Sequence, residues 1–280
     1  MPAIPRRSRA TVVVIFAALL CAVVAQQAFA RQRATIPVPS SSLSHGGELQ
    51  FCSDLTSPPL ESMGPQHKPV GLDIDLGNAV AKQLGLKPVW INTVFASIIP
   101  SLQAGHCDAI MSELRDRPDR RKGVDFVDDG AAARALLVRK GNPLHISGIA
   151  SLCGKSAAVE TGTGFSIALA AQVTACAKAG KPALKVQMFQ RDSDAFQQLV
   201  VGHVDAYATT RETAAYLVAK IGGVQSTGLT FDPEKFGVAT LKDNRPLHNA
   251  IAQAFKQIDA NGTARKIFAK WGLLADMLKR

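Results

Sequence analysis

Short apolar runs alternate along this chain with longer stretches whose apolar residues recur at three- and four-residue steps. "ELQFCS" reads as a strand, and "LDIDLGNAVAKQLG" as a helix that keeps Leu76, Val80 and Leu84 on one face. "KPVWIN", "ASIIPSLQAG" and "DAIMS" continue as strand, helix and strand. The same order then returns in "KSAAVE", "GFSIALAAQVTACAKAG", "LKVQMFQ", "SDAFQQLVVG" and "DAYAT". A direct repeat marks the register: "LQAGHCDA" (Leu102 to Ala109) recurs as "LVVGHVDA" (Leu199 to Ala206). Each copy ends an amphipathic helix, turns at a glycine suited to the position after a helix, and opens a strand at an aspartate. Two β-α-β-α-β units imply α/β architecture, with parallel sheets and right-handed crossovers in two lobes.

"ARALLVRKGNPLHI" (Ala133 to Ile146) reads as an extended crossing between the lobes, and "FGVATLKDNRPL" (Phe236 to Leu247) as the return. Two helices follow, around 247–259 and 263–272. The expected division is 47–133 plus 242–280 for lobe 1 and 134–241 for lobe 2. Residues 31–46, rich in Pro and Ser, form a flexible lead-in. A chain that crosses twice makes a cleft whose walls hinge. In open α/β sheets ligands collect beyond the carboxyl ends of the strands, here "CSDLTSPP", "FASI", "SELRDRPDR", "ETGTG" and "TTRE".

The first 30 residues stand apart. Arg6, Arg7 and Arg9 precede an uncharged apolar run from Thr11 to Ala25, and Ala28-Phe29-Ala30 gives a small-x-small pattern. This is a signal peptide with cleavage expected after Ala30, and the run is shorter than the roughly 20 residues that span a bilayer. The expectation is an exported, periplasmic product. Removing three arginines lowers the formal net charge from +10 to about +7. With aromatics at 6% and the basic residues interleaved with acids, that excess does not identify a nucleic-acid binder. Four cysteines remain, with no metal-like spacing, so no metal and no cofactor is expected. Cys153 precedes "KSAAVE" and Cys176 ends the helix that packs back along it, which predicts a Cys153–Cys176 disulfide. Cys52 and Cys107 read as small buried residues of neighbouring strands.

From Arg115 to Lys122 five of eight residues are basic. Asp116 is a natural N-cap, with Pro118 and Asp119 in the first turn. Arg120 then lies one turn in, where its planar fork suits a carboxylate. Arg115, Arg117, Arg121 and Lys122 read as a solvated face.

The chain resembles the family-3 extracellular solute-binding proteins of polar amino-acid ABC transporters. The likeness is carried in order by "SDLTSPPLES", "VGLDIDLGNAVAKQLG", "SIIPSLQAGHCDAIMS", "RPDRRKGVDFVD", "LCGKSAAVETGTG" and "LVVGHVDAYATT". It implies the type II periplasmic binding protein fold, two α/β lobes joined by two hinge crossings. It also implies that Arg120 clamps a ligand carboxylate, assisted by Ser112 and the backbone around Leu114. Gly162, Thr163 and Gly164 complete that site from lobe 2, where a glycine-rich strand-to-helix turn offers N–H groups to an anion. Asp54 and Phe95 match wall positions of lobe 1. The departures are Ser57 where an aromatic often covers the solute, Thr210 where an aspartate usually holds the α-ammonium, and Glu113 and Arg115 at serine/threonine positions. Glu160 sits where some relatives read the ligand side chain. Either Asp54, Glu113 or Glu160 supplies the missing charge, or the solute lacks that ammonium.

The expectation is a monomeric, non-enzymatic capture protein that delivers a small carboxylate, with an amino acid as the leading reading, to an ABC permease. The alternatives are a cleft enzyme of the cyclohexadienyl-dehydratase type, with Glu160 or Glu113 as general acid, and a sensor that presents its ligand to a receptor. Asp108 and Asp205, which open their strands, read as turn caps.

Overall fold

In the computed structural model, which describes residues 36–228 and 233–278, each repeat builds its own five-stranded sheet. The predicted leader, with its cleavage after Ala30, lies outside the described residues. Lobe 1 begins with β1 (Glu48–Ser53), a small sheet of β2 (Thr56–Ser57), β3 (Glu61–Met63) and β4 (Pro69–Val70), then α1 (Leu72–Leu84), β5 (Lys87–Asn92), α2 (Ile98–Gln103), β6 (Ala109–Ile110) and β7 (Val124–Ala132). The chain crosses at Ala133 into β8 (Arg134–Arg139), β9 (Ser156–Glu160), α3 (Gly164–Lys178), β10 (Lys185–Phe189), α4 (Asp192–Val200), β11 (Ala206–Thr210), α5 (Arg211–Ile221) and β12 (Val224–Ser226). It returns as β13 (Glu234–Leu241), α6 (Arg245–Ala260) and α7 (Thr263–Lys270).

The strand orders are β5-β1-β6-β13-β7 and β10-β9-β11-β8-β12. In each sheet the strands of the repeat run parallel, and the crossing strands β13 and β7, or β8 and β12, add antiparallel. This corrects the expected lobe boundary. β13 was assigned to lobe 2 as part of a segment ending at 241, yet it pairs with β6 and β7. Phe236, Val238 and Ala239 on it are buried, and that apolar strand finds its partner in the first sheet, so the second crossing falls before Glu234.

Apolar spacing places the core. Leu72, Leu76, Val80 and Leu84 of α1 pack with Leu49 and Phe51 of β1, and Leu247, Ile251, Phe255 and Ile258 of α6 join the same cluster. Gly105 and Gly202 turn the two repeated helix ends at φ values of 77° and 81°, a region that costs glycine little. Asp108 accepts from Gln50 N and Asp205 from Ser156 N, at 2.8 and 2.9 Å. Both aspartates therefore tie the start of their strand to the neighbouring strand, β1 or β9, where turn caps were expected. The lead-in is less free than its composition implies. Ile36 enters the lobe 1 core and its N–H donates to Gln83 O, because an apolar residue at the edge of α1 gains more by burial than by staying in water.

Among the described residues two disulfides are present. Cys153–Cys176 closes α3 onto the start of β9, as predicted. Cys52–Cys107 is also bonded, where separate buried thiols were expected. β1 and β6 are adjacent strands, so Cys107, two residues ahead of β6, comes within 5.7 Å of Cys52 on β1, Cα to Cα.

Candidate functional site

The two walls meet beyond the carboxyl ends of the parallel strands. Ser57, Phe95, Ser112, Glu113 and Arg120 line one cavity from lobe 1, and Glu160, Thr163, Gly164 and Thr210 line it from lobe 2. The cavity is about 40 Å³, room for no more than a few waters, so the walls stand closed. Asp54, Leu114 and Gly162 are not among its lining. Asp54 lies behind the wall, where it accepts from Thr56 Oγ1 and from Phe95 N at 2.6 and 2.9 Å and so holds the Phe95 turn. Leu114 belongs to the lobe 1 core, and its backbone carbonyl is engaged by Gly237 N. Gly162 acts through its carbonyl, which accepts from Arg120 Nη2 at 3.2 Å across the lobes.

Arg120 opens a short 3-10 turn, Arg120–Lys122, rather than an α-helix, and neither Asp116 nor Asp119 caps it with a side chain. The two aspartates pair instead with Arg121 and Arg117. Arg120 is 7% exposed. Nη1 donates to Arg115 O at 3.0 Å, and the guanidinium lies 5.3 Å from the Phe95 ring centre. Burial, assisted by the charge of Arg117, pulls its pKa down to about 10. Among the described residues Arg120 enters no ion pair. A desolvated cation held only by carbonyls is prepared for an anion. Facing it, Thr163 caps α3 through Ser166 N, and the remaining first-turn N–H groups of that helix have no partners inside it.

Carboxyls dominate the rest of the site. Glu61 and Asp192 line the cavity beside Glu113 and Glu160. Burial raises all four pKa values, that of Asp192 to about 7. The negative charges of Asp192 and Asp54 raise Glu160 further, while Arg115 opposes the rise at Glu113. Asp192 is held by the Tyr207 hydroxyl, and its N–H donates to Thr56 Oγ1 at 3.1 Å. Ser112 is committed within the protein: its hydroxyl accepts from Asp54 N and donates to Glu61 Oε1. Thr210 is committed likewise, capping α5 through Thr213 N at 3.1 Å. Glu61 Oε2 and Glu160 Oε1 are buried without a hydrogen-bond partner.

Sequence reasoning missed Asp192, Glu61, Arg115, Phe165 and Thr209, which line the cavity too. Asp192 was within reach, since "RDSD" follows the carboxyl end of β10, a strand end that was not counted. Glu61 carried no signal, because only the pairing of β3 with β2 and β4 brings it under the cleft. Arg115 was read as solvated and is 6% exposed.

Comparison with known proteins agrees with this geometry. Residues 49–274 match the model of the bacterial extracellular solute-binding proteins, family 3. The chain is 29% identical over 229 residues to ABC transporter arginine-binding protein 1 of Escherichia coli (strain K12), covering 80% of this chain and 90% of that one. An ancestral arginine-binding protein bound to arginine superposes with a TM-score of 0.75 at 35% identity, over 80% of this chain and 98% of the other. An ancestral amino acid-binding protein, a precursor of cyclohexadienyl dehydratase, gives 0.69 at 33% identity over 80% and 95%. A repeated α/β unit whose two lobes close on the unpaired Arg120 guanidinium, with a family match running through both, makes this chain a member of the bacterial extracellular solute-binding proteins, family 3.

Proposed function

We propose that this protein captures an amino acid with a cationic side chain in the interlobe cleft and delivers it to an ABC permease. Arg120 and the start of α3 hold the α-carboxylate, and Glu160, Asp192 and Glu61 hold the cationic groups. The observation that carries this reading is the imbalance of the closed site. One guanidinium lacks a counter-ion, while buried carboxylate oxygens of Glu61 and Glu160 lack donors. A zwitterion with a further positive charge satisfies both ends, since buried charge is stable only when paired. The carboxyls also replace the aspartate that Thr210 does not supply. Similarity to arginine-binding relatives supports the same class. In this reading the chain is exported to the periplasm with cleavage after Ala30 and works as a monomer.

The test is a thermal-shift and calorimetry panel on purified protein: L-arginine, L-lysine and L-histidine against L-glutamine and succinate. Binding of the cationic members at least roughly tenfold more tightly is expected. Equal affinity for L-glutamine would reject the charge class, and binding of succinate alone would reject the amino acid. A second reading rests on the raised pKa of Glu160 and on the dehydratase-precursor likeness. A carboxyl whose pKa is raised by burial is suited to act as a general acid, and turnover of a prephenate-like cyclic carboxylate would select it.

A further inference from the structure

We propose that Arg115 is a positioning residue that couples the ligand cleft to the hinge. Its guanidinium joins a cleft carboxylate to the backbone of both interlobe crossings. Nη2 donates to Glu113 Oε1 at 2.7 Å, and Glu113 lines the cavity. Nη1 donates to Ala132 O and, at 3.1 Å, to Glu234 O. Ala132 and Glu234 are register partners at the end of the β7–β13 ladder. They are the last paired residues of lobe 1 before the chain leaves it and the first after it returns. Arg115 also bridges Phe236 through its backbone, and its carbonyl accepts from the ligand anchor Arg120.

Four elements therefore meet on one residue: the carboxylate anchor, the cleft acid and both crossings. Glu113 itself is over-determined, with a positive φ of 41° and its N–H donating to Asp73 Oδ2 at 2.7 Å. Non-glycine residues hold such a φ only when their surroundings enforce it. A hydrogen-bond donor of any ligand that approaches the Glu113 carboxylate competes with Nη2. Whatever Arg115 yields there changes how firmly it clasps the crossings, and the coupling acts equally in reverse. A second clasp, the Arg134–Glu234 ion pair, joins the crossings with no recorded contact to Glu113. It is the natural control. The inference rests on the cleft being the ligand site but not on the charge of the ligand.

The experiment is small-angle scattering of the unliganded full chain. The variants are R115K, R115M, E113Q, R115M/E113Q, R134M and R134M/E113Q, each checked for folding by circular dichroism. Lysine keeps the charge but not the planar fork that spans three acceptors. Both Arg115 variants are expected to shift toward a larger radius of gyration. E113Q and R115M should be non-additive, while E113Q and R134M add. With L-arginine as the probe, R115M loses roughly tenfold in affinity. Unchanged scattering in folded R115K, or simple additivity of R115M with E113Q, would overturn the proposal. If R115M alone fails to fold, R115K against R115K/E113Q supplies the same comparison. If L-arginine binds no variant and not the parent, the proposed ligand class fails, and the scattering series still decides the coupling.

Discussion

Gly162 and Ala96 face each other across the cleft so closely that a Cβ on Gly162 would stand 2.9 Å from the Ala96 Cα. Gly162 also holds a φ of +83° and presents its carbonyl to Arg120. The closed cleft therefore depends on a missing side chain. Gly162→Ala is expected to leave both lobes folded but to hold them apart. Strain of this kind costs about 1–2 kcal/mol for a left-handed residue, so affinity for L-arginine should fall roughly tenfold or more. Calorimetry with scattering checks this, and full affinity in the variant would show that the approach to Ala96 is not needed for capture.

Arg120→Met separates capture from stability. Removing one partner of a buried charged pair costs on the order of 3–5 kcal/mol, so binding should weaken at least roughly a hundredfold. In the unliganded protein the same change removes a buried cation that has no ion-pair partner among the described residues, and whose pKa burial has pulled down to about 10. The melting temperature of the ligand-free variant should equal or exceed that of the parent. A variant that binds as well as the parent would remove Arg120 from the site.

The acid cluster makes stability fall as pH rises. Asp73 and Asp192 have folded pKa values of about 7 against an ordinary 3.8. Between about 4 and about 7 the folded protein retains protons that the unfolded chain has released. Its stability is therefore complete at the acid end of that window and declines through it. Three units on a buried group correspond to about 4 kcal/mol as an upper bound, so the melting temperature should drop by several degrees between pH 5 and pH 8. A cationic ligand takes the place of the protons, so its affinity should rise over the same range with protons released. Calorimetry in buffers of different ionisation heat measures that release. A ligand-free melting temperature that climbs with pH would contradict the assignment.

The two disulfides act on the unfolded chain. Cys153–Cys176 and Cys52–Cys107 enclose separations of 23 and 55 residues, worth about 3 and about 4 kcal/mol by loop-closure entropy. Urea midpoints of C153S/C176S and C52S/C107S should fall in that order, the second further. Identical midpoints for oxidised and reduced protein would show that neither bridge constrains the unfolded ensemble.

What could be read from the chain, and what could not, divides along physical lines. The helix face of Leu76, Val80 and Leu84 and the repeated glycine turns at Gly105 and Gly202 depend on residues a few positions apart, and they were legible. The pairing of β13 with lobe 1 was not, because antiparallel partners from distant segments leave no periodic mark on either strand.

The same division runs through the site. The sequence by itself determined the duplicated α/β units and the carboxyl-end position of the cleft, since both follow from local periodicity and from strand polarity; the resemblance to a family pointed to Arg120, while the capped helix expected to aim it is a short 3-10 turn. Only the tertiary structure decided that Arg115 is buried against Glu113 rather than wet, and that Glu61 and Asp192 converge with Glu160. It alone also decided that Ser112 spends its hydroxyl on Asp54 and Glu61. Burial and charge pairing are properties of space, set when segments more than a hundred residues apart close on one another, and a basic residue in a basic run carries no sign of which neighbour it will meet.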